Sequence, residues 1–172
     1  AQKMGLPIAK FIAASNANDI VPKYLETGVY IPKPSVTTIS NAMDVGDPSN
    51  FARILEIHNG DWDAVKASIV GYSYSDAQTE VGMMDVITRT GYLMEPHGVI
   101  GYMALKEYQK QHDVQGIVLE TAHPAKFGDV VEPVIGQKIE VPERLQEFMR
   151  RKKVATLINA DFKELKDYLL SK

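Results

Sequence analysis

Three short polar segments carry the side chains in this sequence that could do chemistry. They are 15–19 (SNAND), 40–50 (SNAMDVGDPSN) and 121–127 (TAHPAKF). Each follows an apolar run of strand composition and leads into a helical pattern. In parallel α/β sheets ligands bind beyond the carboxyl ends of the strands, and the free N–H groups at a helix start favour an anion. The three segments are therefore candidates to line one polar crevice for a small charged ligand.

The middle segment is the most unusual of the three, because it concentrates short hydrogen-bonding side chains around a single glycine. These side chains are Ser40, Asn41, Asp44, Ser49 and Asn50. The alternative for each segment is simple helix capping, by Asn18, Asp47 and Thr121 respectively. Capping needs one side chain, whereas residues 40–50 offer five. We therefore interpret this loop as part of a pocket, since small-ligand sites use a few well-placed polar groups.

Several other kinds of chemistry find no support in the sequence. The chain has no cysteine, which excludes disulfides, thiolate nucleophiles and cysteine-based zinc sites. None of the four histidines has a second ligand at helical spacing, so we predict no metal site. The net charge of −3 gives no case for nucleic acid. No apolar run approaches the roughly 20 residues of a membrane helix. These features are compatible with a cytoplasmic protein.

The elements that must position the polar segments alternate between strands and helices. Short apolar runs predict sheet strands at 11–14, 69–72 and 116–119, with further strands at 36–40 and 154–158. Helical spacing predicts helices over 48–58, 76–89 and 161–170 that bury Phe51, Val81, Met84 and Phe162. Such alternation predicts an α/β fold with a largely parallel sheet flanked by helices. With 172 residues, we expect a single α/β domain with C-terminal helices.

The first residues, AQKMGLP, have the pattern of a helix end. Gly5 suits the left-handed position after a helix, and Pro7 follows it. Almost no residues of such a helix are present. We therefore expect this chain to be the C-terminal piece of a longer protein.

Four long strings occur here in the order found in threonine synthases. They are FIAASNANDIVPKYLETG, SNAMDVGDPSNFARI, EPHGVIGYMALK and LETAHPAKF, and INADFKELKDYL closes the chain. The sequence resembles that family over essentially its whole length. The resemblance implies a pyridoxal 5′-phosphate (PLP) enzyme of fold type II, related to the tryptophan-synthase β subunit. It implies a lyase of threonine biosynthesis that converts O-phospho-L-homoserine and water to L-threonine and phosphate.

The resemblance also implies site residues. Thr121 lies where a hydroxyl faces the pyridine nitrogen of PLP, and 40–50 is the family's substrate-side loop. Its Asn41, Asp44, Ser49 and Asn50 suit the amino-acid or phosphate end of the substrate, and the nearby Arg53 adds charge. The Schiff-base lysine and the cofactor-phosphate loop belong to the N-terminal part of such enzymes. We therefore nominate no catalytic residue here and expect this piece alone to be inactive and not to bind PLP.

Two alternatives stay open. One is another PLP-dependent lyase or synthase of the same fold, acting on a different amino acid. The other is a non-catalytic α/β binding module. Under the leading interpretation the partner is the N-terminal part of the same protein, with no nucleic acid and no membrane. We expect the isolated piece to self-associate or to be marginally stable, because large apolar patches are unusual on monomers.

Overall fold

The computed structural model describes residues 1–171, which fall into two compact units. The first unit is Ala1–Ile139, and the second begins at Glu140. The first contains a parallel sheet with helices around it, and the second contains two short helices. The predicted α/β fold class with a parallel sheet flanked by helices is confirmed. The division into a single domain with C-terminal helices stays a prediction.

The sheet has two strands, β1 (Phe11–Ser15) and β2 (Ile69–Ser73). They pair in parallel, with Phe11 opposite Ile69 at one end and Ser15 opposite Ser73 at the other. The predicted strands at 11–14 and 69–72 are thus confirmed. Gly71 brings a helix close to the sheet, since an added Cβ there would lie 2.8 Å from Cα of Pro22.

Eight α-helices are described. In the first unit they are α1 (Ile20–Thr27), α2 (Phe51–Ile57), α3 (Trp62–Ser68), α4 (Asp76–Thr90), α5 (Pro96–Gln109) and α6 (Gly128–Ile135), and in the second α7 (Glu143–Met149) and α8 (Phe162–Leu170). Single 3₁₀ turns occupy Gln2–Met4, Asn41–Met43 and Pro124–Phe127. The predicted helices over 48–58, 76–89 and 161–170 are present with slightly different ends. The first starts late because the Phe51 N–H donates to the Pro48 carbonyl, 2.9 Å away, in a preceding turn.

Two apolar clusters form the core of the first unit. One joins α1, α2 and α3 through Tyr24, Leu25, Phe51 and Val65. The other joins α4, α5 and α6 through Met83, Val99 and Val131. The predicted burial of Phe51 is confirmed, since only 3% of this residue is exposed.

The prediction that Val81, Met84 and Phe162 are buried is wrong. They are 71%, 41% and 79% exposed, respectively. In α4 the buried residues are instead Thr79, Gly82, Met83 and Val86. An added Cβ on Gly82 would lie 2.5 Å from Sδ of Met103, so α5 packs closely against a face that apolar counting overlooks. Phe162 lies in the second unit, where no described residue of 140–171 is buried.

The predicted strands at 36–40, 116–119 and 154–158 are absent from the described residues. The hydrogen bonds and contacts that accompany the absence of strands at 36–40 and 116–119 are described with the site below. For 154–158 the second unit offers no strand with which it could pair. Within residues 1–171, no helix is both long and apolar enough to cross a membrane.

Candidate functional site

A network of buried polar side chains joins the segment after β1 to the loop at 36–46. Its centre is Asn16, which is only 1% exposed. The Asn16 Nδ2 atom lies 2.9 Å from Oγ1 of Thr38, 2.9 Å from Oδ1 of Asp44 and 3.2 Å from Oγ of Ser40. Buried polar groups must find such partners, because an unpaired one is costly. Asn16 therefore has its hydrogen-bonding capacity satisfied by Thr38, Ser40 and Asp44.

Asn18 occupies the backbone groups of Val36, at the start of the predicted strand 36–40. Its side chain accepts a hydrogen bond from the Val36 N–H at 2.8 Å and donates to the Val36 carbonyl at 2.9 Å. A side-chain amide thus takes both backbone groups that a neighbouring strand would otherwise pair. The helix cap predicted as an alternative for Asn18 is wrong, since Asp19 is the residue that precedes α1.

Asp44 closes this network from the loop side. Its Oδ1 accepts from Oγ1 of Thr38 at 2.8 Å, and its Oδ2 accepts from the Thr38 N–H at 3.0 Å. Oδ1 also lies 3.2 Å from Nδ2 of Asn18. The carboxylate therefore holds the loop in shape. Whether it also contacts a substrate stays a prediction.

The remaining predicted substrate residues are exposed. These are Asn41, Ser49, Asn50 and Arg53. Asn50 precedes α2, yet its side chain makes no capping hydrogen bond. The alternative cap, Asp47, instead accepts a hydrogen bond from the Tyr30 hydroxyl at 2.8 Å. The exposed members of the loop thus remain available to a ligand, although their contact with one stays a prediction.

Residues 116–120 are extended along α5. Three contacts connect the two, pairing Leu105 with Gly116, Gly101 with Val118 and Gly98 with Glu120. The segment therefore runs antiparallel to the helix, with every second residue facing it. Ile117 and Leu119 alternate to the other side and are 90% and 80% exposed. This is the geometry of a strand, but no described residue pairs with its backbone.

Thr121 continues that alternation. It is exposed, and its hydroxyl makes no hydrogen bond to another described residue. The cap predicted as an alternative for Thr121 is wrong, because His123 precedes the 3₁₀ turn at 124–127 and accepts a hydrogen bond from the Ala125 N–H at 3.1 Å. The hydroxyl is thus free to bind something else. Its predicted contact with a cofactor ring is compatible with this position and stays a prediction.

Three ionisable groups, Glu95, His97 and Glu120, form a cluster next to Thr121, on the side that faces α5. This cluster was not predicted from the sequence. The fully buried Glu95 caps the start of α5, and its carboxylate accepts hydrogen bonds from the Gly98 N–H at 3.0 Å and the His97 N–H at 2.9 Å. Nδ1 of the His97 ring contacts the same carboxylate. Both carboxyl oxygens of Glu120 are buried without a hydrogen-bond partner, as is Nε2 of His97. The Glu95-Pro96 pair is a helix-start signal that could have indicated the first member.

The pKa values of Glu95 and Glu120 are shifted in opposite directions. Burial by itself raises the pKa of Glu95, but the hydrogen bonds from His97 and Gly98 and the charge of His97 outweigh it and lower that pKa. Burial and the neighbouring charge of Glu95 raise the pKa of Glu120 to about 7. Glu95 therefore carries the charge of the pair, and Glu120 holds a proton up to about neutral pH. In residues 1–171 no group of three His, Cys, Asp or Glu side chains is arranged to hold a metal ion.

Several known proteins are similar to this chain in sequence and in fold. A family model described as threonine synthase, C-terminal, matches residues 99–169. The threonine synthase of Haemophilus influenzae is 42% identical over 99% of this chain, and that of Escherichia coli is 36% identical over 99%. The crystal structure of the Escherichia coli enzyme superposes with a TM-score of 0.85 at 34% identity, covering 99% of this chain and 39% of that one. This chain is a relative of the C-terminal portion of threonine synthases.

A second solved structure connects the threonine synthases to a cofactor. The PLP-bound threonine synthase from Brucella melitensis superposes with a TM-score of 0.79 at 30% identity, covering 98% of this chain and 41% of that one. The chain spans about 39% of the length of the two curated relatives. The resemblance predicted from the sequence is confirmed, including its restriction to the C-terminal portion.

Proposed function

We propose that the protein carrying this chain is a PLP-dependent threonine synthase, which converts O-phospho-L-homoserine and water to L-threonine and phosphate. The chain supplies one wall of the site. The observation that carries the proposal is the fold similarity to a threonine synthase, at a TM-score of 0.85 over 99% of this chain. As an enzyme of amino-acid biosynthesis, the protein would act in the cytoplasm.

On the cofactor side, the residue of this chain that we assign is Thr121. When bound, PLP supplies an electron sink for the substrate's reacting carbons. The exposed Thr121 hydroxyl has no partner among the described residues, so it fits a hydrogen bond to the pyridine nitrogen. A hydroxyl can leave that nitrogen unprotonated, whereas a carboxylate would hold a proton there. Thr121 therefore tunes how strongly the ring withdraws electrons.

On the substrate side we assign the exposed members of the 40–53 region, namely Asn41, Ser49, Asn50 and Arg53. The Arg53 guanidinium suits the phosphate or carboxylate of phosphohomoserine, because it can form two parallel charge-assisted hydrogen bonds. The amide and hydroxyl groups supply further donors and acceptors. Asp44 acts here mainly by holding the loop, since both its oxygens already accept hydrogen bonds.

The chain by itself is proposed to be inactive and not to bind PLP specifically, because no lysine in it lies in a context that resembles the family's cofactor-binding lysine. The rest of the protein would cover the exposed apolar side chains. Ile117, Leu119 and Leu157 are 90%, 80% and 96% exposed. Without that cover, burial of such surface on other copies would favour self-association.

The test is phosphate release from O-phospho-L-homoserine by the complete protein with saturating PLP. We expect release with equimolar threonine, and none from this chain alone. Replacement of Arg53 by Ala should raise KM, because it removes a contact to the charged substrate, while Lys3→Ala serves as an exposed control. Turnover of a different amino acid with none of phosphohomoserine would favour another PLP enzyme. Absence of PLP binding by the complete protein would favour a non-catalytic module.

A further inference from the structure

The segment that carries Thr121 is held to the described part of the protein from one side only. No backbone hydrogen bond to another described residue involves residues 115–122. The segment relies instead on its side-chain contacts with α5, at Gly116, Val118 and Glu120. The contact nearest to Thr121 is the one between Glu120 and Gly98, where an added Cβ would lie 2.1 Å from Oε2 of Glu120. Glu120 is therefore the last residue that contacts α5 before Thr121, whose hydroxyl faces away from the helix.

The surroundings of this anchor suit an uncharged carboxyl group. Both Glu120 oxygens are buried, and no described group lies in hydrogen-bond geometry with them; the neighbouring Glu95 carboxylate, which helps to raise the pKa of Glu120, is the acceptor to which a protonated Glu120 could donate. The donors at the start of α5, the N–H groups of His97 and Gly98, are already taken by Glu95. An ionised carboxylate in such a place would be desolvated and would lie beside a second negative charge. Protonation removes both costs.

We propose that Glu120 is a positioning residue for Thr121, because the buried carboxyl group of Glu120 anchors the extended segment on the first turn of α5. Successive residues of an extended segment point to opposite sides. Anchoring Glu120 against the helix therefore directs Thr121 away from it, towards the proposed cofactor. This inference rests on the proposed role of Thr121.

Ionisation of Glu120 would weaken the anchor. The titratable groups that act on it are Glu95 and His97, both at the start of α5. Because the folded protein raises the pKa of Glu120 from its ordinary 4.5 to about 7, its contribution to stability is fully present below about pH 4.5 and is lost as the pH rises from there through about 7. Thr121 should thus be held less firmly in alkaline solution.

The experiment compares the complete protein with its Glu120→Gln variant, whose amide is similar in size and never ionises. Glu56→Gln, on the exposed side of α2, is the matched control. We expect the melting temperature of the wild type and the control to fall as the pH rises from about 5 to 8, with most of the fall between about 5 and 7. The Glu120→Gln profile should be flatter, so its difference from wild type grows with pH. The absorbance of bound PLP should change over the same range in the wild type, and less in Glu120→Gln.

Parallel melting profiles for wild type and Glu120→Gln would overturn the proposal. If Glu120→Gln fails to fold, Glu120→Leu provides a second neutral side chain for the same comparison. Thr121→Ala tests the proposed cofactor contact of Thr121 separately from the proposed positioning role of Glu120. If it alters the PLP absorbance while Glu120→Gln retains the wild-type pH response, only the role of Glu120 is wrong. If Thr121→Ala leaves the absorbance unchanged, the proposed cofactor contact itself is wrong.

Discussion

The loop at 36–46 and the segment at 116–121 have similar sequence patterns. They differ in whether their outward-facing side chains find partners within the chain. Each begins with an apolar run that predicts a strand and continues into a polar turn. In the loop, Asn16 and Asn18 supply hydrogen-bond partners from within the chain. In the segment, one side contacts α5, while Ile117, Leu119 and Thr121 face outward without partners. A density of polar residues therefore does not by itself identify a binding surface.

The location of the hydrogen-bond partners distinguishes the two cases. A polar group whose partners lie inside the chain contributes to stability. A polar group placed by a well-packed neighbour but left without a partner is available for a ligand. By this criterion Asp44 belongs to the first class and Thr121 to the second. Substitutions at the two sites should separate these roles.

The largest effect is expected from Asp44→Ala. The change would leave Asn16 and Thr38, which are 1% and 7% exposed, without their carboxylate partner. The Thr38 N–H would be left unpaired, at a cost of about 1–3 kcal/mol, while Asn16 would keep Thr38 and Ser40 as partners, so we expect a loss of about 2–3 kcal/mol in the free energy of unfolding. Urea unfolding followed by circular dichroism would measure it.

Asp47→Ala is the control in the same loop. Asp47 is exposed and accepts one hydrogen bond, from the Tyr30 hydroxyl at 2.8 Å. Its removal should cost about 1 kcal/mol or less. Equal losses for the two variants would show that the network around Asp44 is not the source of the loop's stability.

The parts of the fold predicted correctly are those where a local sequence pattern also finds its partner in the structure. The strands at 11–14 and 69–72 form because each finds the other as a parallel partner. The helix over 76–89 forms because Ser75 and Gln78 make a reciprocal capping box. The exposure of Val81 and Met84 could not be predicted from spacing, since α5 packs against the side of α4 that carries Gly82. Small residues at a close helix contact carry no apolar signal.

A moderate effect is expected from Gly98→Ala. The new Cβ would lie 2.1 Å from Oε2 of Glu120, so that side chain must move. Overpacking of this kind costs about 1–3 kcal/mol, and we expect a value near the lower end because a side-chain end can shift. Gly101→Ala is the matched control in the same helix, with its Cβ 3.3 Å from Cγ1 of Val118.

A double-mutant cycle would assign the cost to the proposed contact. If Gly98→Ala is destabilising because it displaces Glu120, the penalty should shrink when Glu120 is also changed to Ala. Gly101→Ala should be close to neutral, since alanine also favours the helix. An unchanged penalty for Gly98→Ala in the Glu120→Ala background would locate its cause elsewhere in α5.

The candidate site was predicted only in part, for a similar reason. The polar segments 40–50 and 121–127 were found because their composition is unusual. The Glu95–His97–Glu120 cluster was not, because it joins a helix start to a residue 25 positions later, through packing. The strand at 116–119 is absent because strand pairing depends on a neighbour, and the described residues supply none there. Long-range pairing of this kind leaves no periodic signal in one sequence.

The smallest effect on stability is expected from Thr121→Ala, and this variant tests the comparison most sharply. Thr121 is exposed and makes no hydrogen bond within the described part of the chain, so the free energy of unfolding should change by about 0.5 kcal/mol or less. In the complete protein, the same change should lower turnover and shift the absorbance of bound PLP, because it removes the hydroxyl proposed to face the pyridine nitrogen. Thr121→Ser should restore both, whereas Thr121→Asp should shift the absorbance in the direction of a protonated ring. A loss of stability as large as that of Asp44→Ala, with unchanged absorbance, would show that Thr121 stabilises the fold and does not contact the cofactor. The two regions would then not differ in role.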